Sequence, residues 1–155
     1  MKFTIPLPLQ HEHEALHEEL RLATQAEGEV GEAAKTLAQL MHPHFVKEDQ
    51  FALPPLGLLA ALARGEWSAE MAEVLTLTDQ LEAELPQMLA EHKAIVAALN
   101  TLRDAAARTG RSDIVTFAEA LTEHARTEEE VMYPAAVLVG QVVRQRLSPR
   151  APTAE

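Results

Sequence analysis

The 155-residue chain contains no cysteine. Disulfides, cysteine-ligated zinc, iron–sulfur clusters and thiol catalysis are therefore excluded. No apolar run approaches the roughly 18 residues that span a bilayer, so no membrane partner is expected. Met1 to Gln10 carry a single lysine and scattered apolar residues broken by Pro6 and Pro8. That is not the pattern of a secretion signal, and the protein is expected to be cytoplasmic. Basic residues are outnumbered 13 to 24, giving a formal net charge of −11. Such a surface repels phosphate backbones, so no nucleic-acid partner is expected. Gly-rich phosphate loops and the H-E-x-x-H spacing of zinc proteases are also missing.

Aromatics are only 4% and glycines only 6, while alanine, leucine and glutamate are abundant. This is helical composition. The length suggests one domain, able to bury roughly 70% of its unfolded surface. Breaks fall at Gly28 and Gly31, at Pro54 and Pro55, at Thr109–Ser112 and at Pro134. Gly110 is placed as a C-terminal cap and Ser112 as an N-cap. The expectation is an all-α, up-down-up-down four-helix bundle over residues 1–147, followed by a flexible tail, 148–155. The main helices are expected at about 8–27, 30–52, 69–108 and 113–133. Pro43 is expected to bend the second and Pro86 to kink or split the third. Short extra helices are expected at 55–64, with Trp67 capping it, and at 135–147.

Apolar residues recur in alternating steps of three and four, which puts them on one face of each helix. Leu9, His13, Leu16, Leu20 and Ala23 form the first stripe. Val30, Ala34, Leu37, Met41, His44, Glu48 and Phe51 form the second. Leu81, Leu85, Met88, His92, Ile95, Leu99, Leu102 and Ala106 form the third. Ile114, Phe117, Leu121, His124, Glu128, Val131, Ala135 and Leu138 form the fourth. Only six of these positions are polar: His13, His44, Glu48, His92, His124 and Glu128. A buried carboxylate without a partner costs several kcal/mol, so the six need a shared explanation.

An internal repeat supplies one. Glu12-His13-Glu14-Ala15-Leu16 matches Glu91-His92-Lys93-Ala94-Ile95 at an offset of about 80 residues. His44-x-x-x-Glu48-Asp49 matches His124-x-x-x-Glu128-Glu129, and a proline follows each glutamate by six, at Pro54 and Pro134. The two histidines of a half lie 31 residues apart in the first half and 32 in the second. Each half is thus a helical hairpin supplying a histidine and then His-x-x-x-Glu, whose members share a helix face. Two facing hairpins suit two adjacent metals with two histidines each, bridged by the glutamates. Nitrogen and oxygen ligands together suit iron, manganese, zinc or cobalt better than calcium or magnesium.

One seam histidine is commonly a satisfied core residue, and one His-x-x-x-Glu pair is commonly a solvated ion pair. The joint occurrence of six on one seam, mapped onto each other by the repeat, favours metal. Glu12, Glu14, Asp49, Glu91 and Glu129 stand where they can orient imidazoles, although a solvated helix face is the commoner role. His11 and His42 fall on the surface side. Packing is the default for Tyr133, whose repeat partner is Leu53. The Glu-x-x-His motifs of ferritin-like carboxylate centres are not repeated here, Glu14 to His17 being the single instance.

The combination resembles the hemerythrin-like, or HHE cation-binding, family. Glu12-His13, His44-x-x-x-Glu48, Glu91-His92, His124-x-x-x-Glu128-Glu129 and Tyr133-Pro134 carry the resemblance over about residues 8–138. It implies two iron ions bridged by oxo or hydroxo, with manganese or zinc as substitutes. His13 and His44 would hold one ion, His92 and His124 the other, and Glu48 and Glu128 would bridge. O2 or nitric oxide would be the small ligand, and sensing, redox response or iron handling the role. O2-carrying members have a second histidine one turn after the third-helix ligand, where this chain has Val96. They also space the fourth-helix pair as His-x-x-x-x-Asp. His17, the first-half equivalent of Val96, follows His13 by one turn and is a further candidate ligand. The contrasting reading is a helical interaction module without redox chemistry, with its core site structural or empty.

Overall fold

A computed structural model describes residues 1–148, so all of the expected tail beyond Ser148 lies outside the described residues. Every element among them is helical. Helix α1 is Leu7–Ala23, with Pro8 in the first turn, where a missing N–H costs no helical bond. It buries His13, Leu16, Leu20 and Ala23, the three–four rhythm of its sequence. The chain turns at residues 24–27 into α2, Gly28–Lys47. A 3-10 turn, Pro54–Leu58, and the five-residue α3, Leu59–Ala63, occupy the expected extra helix. Trp67 lies exposed beyond it rather than capping it. A further 3-10 turn, Ala69–Val74, leads into α4, Leu75–Arg108.

Pro86 does not split α4, which runs unbroken for 34 residues, about 50 Å at 1.5 Å per residue. At its end Gly110 takes φ +72°, and the Arg111 N–H reaches back to the Ala106 carbonyl at 2.9 Å. This left-handed cap uses up the linker, so α5 begins at once, at Ser112–Thr127. Ser112 is consequently the first helical residue, Arg111 occupies the cap position, and no side chain caps it.

The expected break at Pro134 is not a break. After α5 a π-turn, Glu128–Met132, passes directly into α6, Tyr133–Leu147. The Tyr133 N–H bonds to the Glu128 carbonyl five residues back. Pro134 then falls in the first turn of α6, where proline is tolerated. The first half does the same: α2 ends in a π-turn, Glu48–Ala52, and the Leu53 N–H bonds to the Glu48 carbonyl at 2.9 Å.

A π-turn adds one residue to the helix register. Extending the three–four rhythm past Glu128 therefore selects the wrong face. Val131 and Leu138, expected inside, are 59% and 55% exposed. Met132, Ala136, Val139 and Val143 are buried in their place. Leu9 and Ala135 are half-buried at the edge.

Helix α4 packs along α2, α5 and α6, and α1 closes the bundle against α2 and α5. Short turns join α1 to α2 and α4 to α5, so each pair is antiparallel. One apolar cluster contains Leu16, Leu37, Phe45, Ile95, Leu99 and Leu121. Another contains Phe51, Leu53, Leu81, Met88, Met132 and Tyr133. On α4, His92 lies between Met88 of one cluster and Ile95 of the other, so the polar layer is sealed above and below. Where α6 crosses α4, a Cβ on Gly140 would lie 2.3 Å from Thr78 Oγ1, and only glycine permits that approach.

Candidate metal centre

The structure brings His13, His44, Glu48, His92, His124 and Glu128 together in one layer, each at most 5% exposed. Each comes from a different turn of the bundle. His13 is on α1, His44 near the end of α2, His92 mid-way along α4 and His124 near the end of α5. The two glutamates are the first residues of the two π-turns.

The imidazoles meet in two pairs. His44 Nε2 and His92 Nε2 are 2.8 Å apart, and His13 Nε2 and His124 Nε2 are 3.1 Å apart. This differs from the division that the resemblance implies, His13 with His44 and His92 with His124. Each close pair takes one histidine from each repeat.

Both carboxylates reach both pairs. Glu48 Oε1 lies 3.1 Å from His44 Nε2, and its Oε2 lies 3.6 Å from His13 Nε2. Glu128 Oε1 lies 3.3 Å from His124 Nε2 and 3.9 Å from His92 Nε2. Two ligand groups follow: His44, Glu48, His92 and Glu128, and His13, His124 and Glu128.

The outward nitrogens fix the tautomers. His44 Nδ1 faces Glu91 Oε1 at 3.1 Å, His92 Nδ1 faces Glu129 Oε1 at 2.9 Å, and His124 Nδ1 faces Glu12 Oε1 at 2.7 Å. A carboxylate accepts, so Nδ1 donates and the Nε2 lone pair points inward. Lys47 Nζ in turn holds Glu91 at 2.8 Å. These three glutamates are therefore not merely solvated. Glu14 is exposed and paired with Gln10.

Lone pairs 2.8 Å apart need a cation between them. A proton on His44 is one answer: burial opposes it, but Glu48 and Glu91 outweigh burial and raise its pKa. A metal ion is the other. Two nitrogens bound at right angles to one ion, each about 2.1 Å away, lie about 3 Å apart, close to both observed separations. Burial pushes the pKa of His13 and His92 down, which keeps them neutral and ready to ligate.

The carboxylates tell the same story. Burial raises the pKa of Glu128, and the neighbouring Glu48 charge raises it further. Burial pushes Glu48 the same way, yet hydrogen bonds from Glu128 and His44 and the charges of His44 and His13 hold it low. Without a cation the pair shares one proton. Glu48 Oε2 is buried with no hydrogen-bond partner. A divalent ion would neutralise both groups and give that oxygen a partner, so the residues present fit a metal pair.

Tyr133, expected to be packing, is fully buried and belongs to the centre. Its hydroxyl donates to Glu48 Oε1 at 2.5 Å and lies 3.3 Å from His44 Nε2, His92 Nε2 and Glu128 Oε2. Burial, then the two carboxylate charges, push its pKa far up, so it keeps its proton. A signal was present in the sequence: Tyr133 follows Glu128 by five, and a π-turn stacks i+5 over i.

His17 does not join the centre. It is exposed and stacks on Phe45 with ring centroids 3.7 Å apart. Phe45 also meets the His13 ring edge-on at 5.2 Å, and His17 is in neither ligand group. His11 and His42 are exposed.

A four-helix bundle with paired histidines and shared carboxylates in its core defines a metal-binding helical protein. The model of the hemerythrin HHE cation-binding domain matches residues 8–136, and the chain belongs to that family. Neither the curated proteins nor the solved structures yield a match. No helix among the described residues is long and apolar enough to cross a membrane.

Proposed function

We propose that this chain is a non-haem di-iron protein that senses or responds to O2, nitric oxide or related oxidants, or handles iron, rather than an O2 carrier. The observation that carries the reading is the pair of Nε2–Nε2 contacts, 2.8 and 3.1 Å, with both carboxylates in reach of each. His44 and His92 would hold one ion, His13 and His124 the other, and Glu48 and Glu128 would bridge them. Bound iron supplies one-electron redox chemistry and a position for a small ligand.

The chain's own residues do the rest. Glu12, Glu91 and Glu129 orient imidazoles by accepting from Nδ1. Tyr133 holds a proton at Oη beside Glu48. The apolar clusters on either side exclude water and strengthen these interactions. Against reversible O2 carriage stands Val96, half-buried where the carriers of the family place a histidine. His17, stacked on Phe45, does not make up for it.

Metal content and the optical spectrum, recorded before and after O2 and nitric oxide, test the proposal. About two irons per chain, with absorption bands that change on gas addition, are expected. Zinc or manganese in place of iron would overturn the iron assignment. A melting temperature indifferent to chelation would favour the interaction module, because a ligand binding only the folded state stabilises it by mass action.

A further inference from the structure

Four carboxylates face the outer nitrogens of the four cluster histidines, and the internal repeat relates them in two pairs. Glu12 and Glu91 precede the α1 and α4 histidines and reach across to His124 and His44. Asp49 and Glu129 follow Glu48 and Glu128 and face His13 and His92. Three of the contacts are hydrogen bonds of 2.7, 3.1 and 2.9 Å. The fourth is not: Asp49 Oδ1 stands 3.8 Å from His13 Nδ1, beyond hydrogen-bond reach. His13 Nδ1 is a buried atom with no partner. Side-chain length is the cause, since Asp49 is one methylene shorter than Glu129 at the equivalent place.

The same residue, though only 5% exposed, lines a surface cleft. A cleft of about 720 Å³, lined by Thr4, Gln10, His17 and Asp49 among others, reaches His13 and none of the other three cluster histidines. The least tethered ligand thus stands at the end of a path to the surface.

The geometry points to an unequal metal pair. The ion on the His13–His124 side is the exchangeable one, it passes through this cleft, and Asp49 is the positioning residue that sets its exchange rate. The inference rests on the two-metal reading. An imidazole without its outer hydrogen bond turns more freely and is a weaker base, and losing such a partner commonly costs 10–100-fold in metal affinity. Glu129 at the matching position withholds that freedom from His92.

The test uses the full chain loaded with iron(II), its stoichiometry measured first, then challenged with a chromogenic iron(II) chelator. The wild type is expected to release one ion at least about tenfold faster than the other. Asp49→Glu should slow the fast phase by about the same factor and leave the slow phase alone. Glu129→Asp should quicken the slow phase. Gln10→Trp, on the exposed cleft wall, should slow the fast phase without changing stoichiometry. Release of both ions in one phase from the wild type would overturn the inference, as would an unaltered fast phase in Asp49→Glu. If Asp49→Glu does not fold, Glu129→Asp and Gln10→Trp decide by the same readout. Fewer than two ions before chelator is added would instead refute the two-metal reading itself.

Discussion

Tyr133 donates its hydroxyl hydrogen to Glu48 Oε1 at 2.5 Å, joining the first residue of α6 to the π-turn carboxylate of the other half. The contact exists because the inserted residue of the second π-turn rotates Tyr133 inward. Tyr133→Phe removes the donor and leaves a buried carboxylate oxygen with one partner fewer. Metal-free protein should lose about 1–3 kcal/mol, read by urea unfolding after chelation. The loss should be smaller in loaded protein, where an ion takes over the oxygen. Equal stability in the two metal-free proteins would show that the contact contributes nothing.

Glu48 and Glu128 each touch both histidine pairs, so neither can be removed without affecting the whole centre. Glu48→Ala and Glu128→Ala should each lower metal content by more than one ion per chain. Glu14→Ala, at an exposed site one residue from His13, should leave loading unchanged. Elemental analysis of the three variants checks this, and matched loading in all of them would refute the bridging assignment.

The pH dependence follows from Glu128. Its pKa is raised above the usual 4.5 by burial and by Glu48. A carboxylate raised in the folded state stabilises it at low pH, and that contribution is lost as pH rises through the folded value. His13 and His92 have the opposite sign. Lowered from 6.5 by burial, they contribute above 6.5 and lose that contribution as pH falls through their folded values. Above 6.5 the effects of His13 and His92 are complete. His44, raised by Glu48 and Glu91, and Glu128 both lose their contribution as pH rises through their folded values, so metal-free protein should weaken. An ion removes that penalty. The gap in melting temperature between loaded and chelated protein should therefore widen toward alkaline pH, and Glu128→Gln should flatten the chelated curve. A gap that narrows with rising pH would contradict the shared-proton picture.

His17→Ala should leave metal stoichiometry and the optical spectrum as they are, because His17 is in neither ligand group. The variant loses only a stacking contact, about 0.5–1.5 kcal/mol, measurable by thermal melts. A shifted spectrum would return His17 to the ligand set.

The bundle and its six-residue polar layer were legible in sequence because both depend on spacing. His13, His92 and the two His-x-x-x-Glu pairs keep the apolar rhythm of their helices, and the repeat doubles the signal. What followed each glutamate was not legible, because periodicity assumes a constant turn. An α-helix carries residue i+5 about 140° away from i, which sends Tyr133 off the seam and brings Val131 onto it. The π-turn reverses both. The orienting roles of Glu12, Glu91 and Glu129 were hidden for a different reason. An acidic residue beside a seam histidine looks the same whether it faces water or a neighbouring helix, and only the packing of α1 against α5, of α2 against α4 and of the second π-turn against α4 decides. The pairing of histidines across the halves likewise depends on how two hairpins dock, which neither hairpin encodes alone.

The two π-turns begin at equivalent glutamates and end just before equivalent prolines, Pro54 and Pro134. The repeating unit is a helical hairpin carrying a histidine, His-x-x-x-Glu and its own π-turn. Such a unit presents half of a ligand set on one face and completes it only against a second copy of itself. A symmetric homodimer has that arrangement. In this chain the two halves are joined and not identical: Asp49 corresponds to Glu129 and Leu53 to Tyr133, so the two sides of the layer need not behave alike.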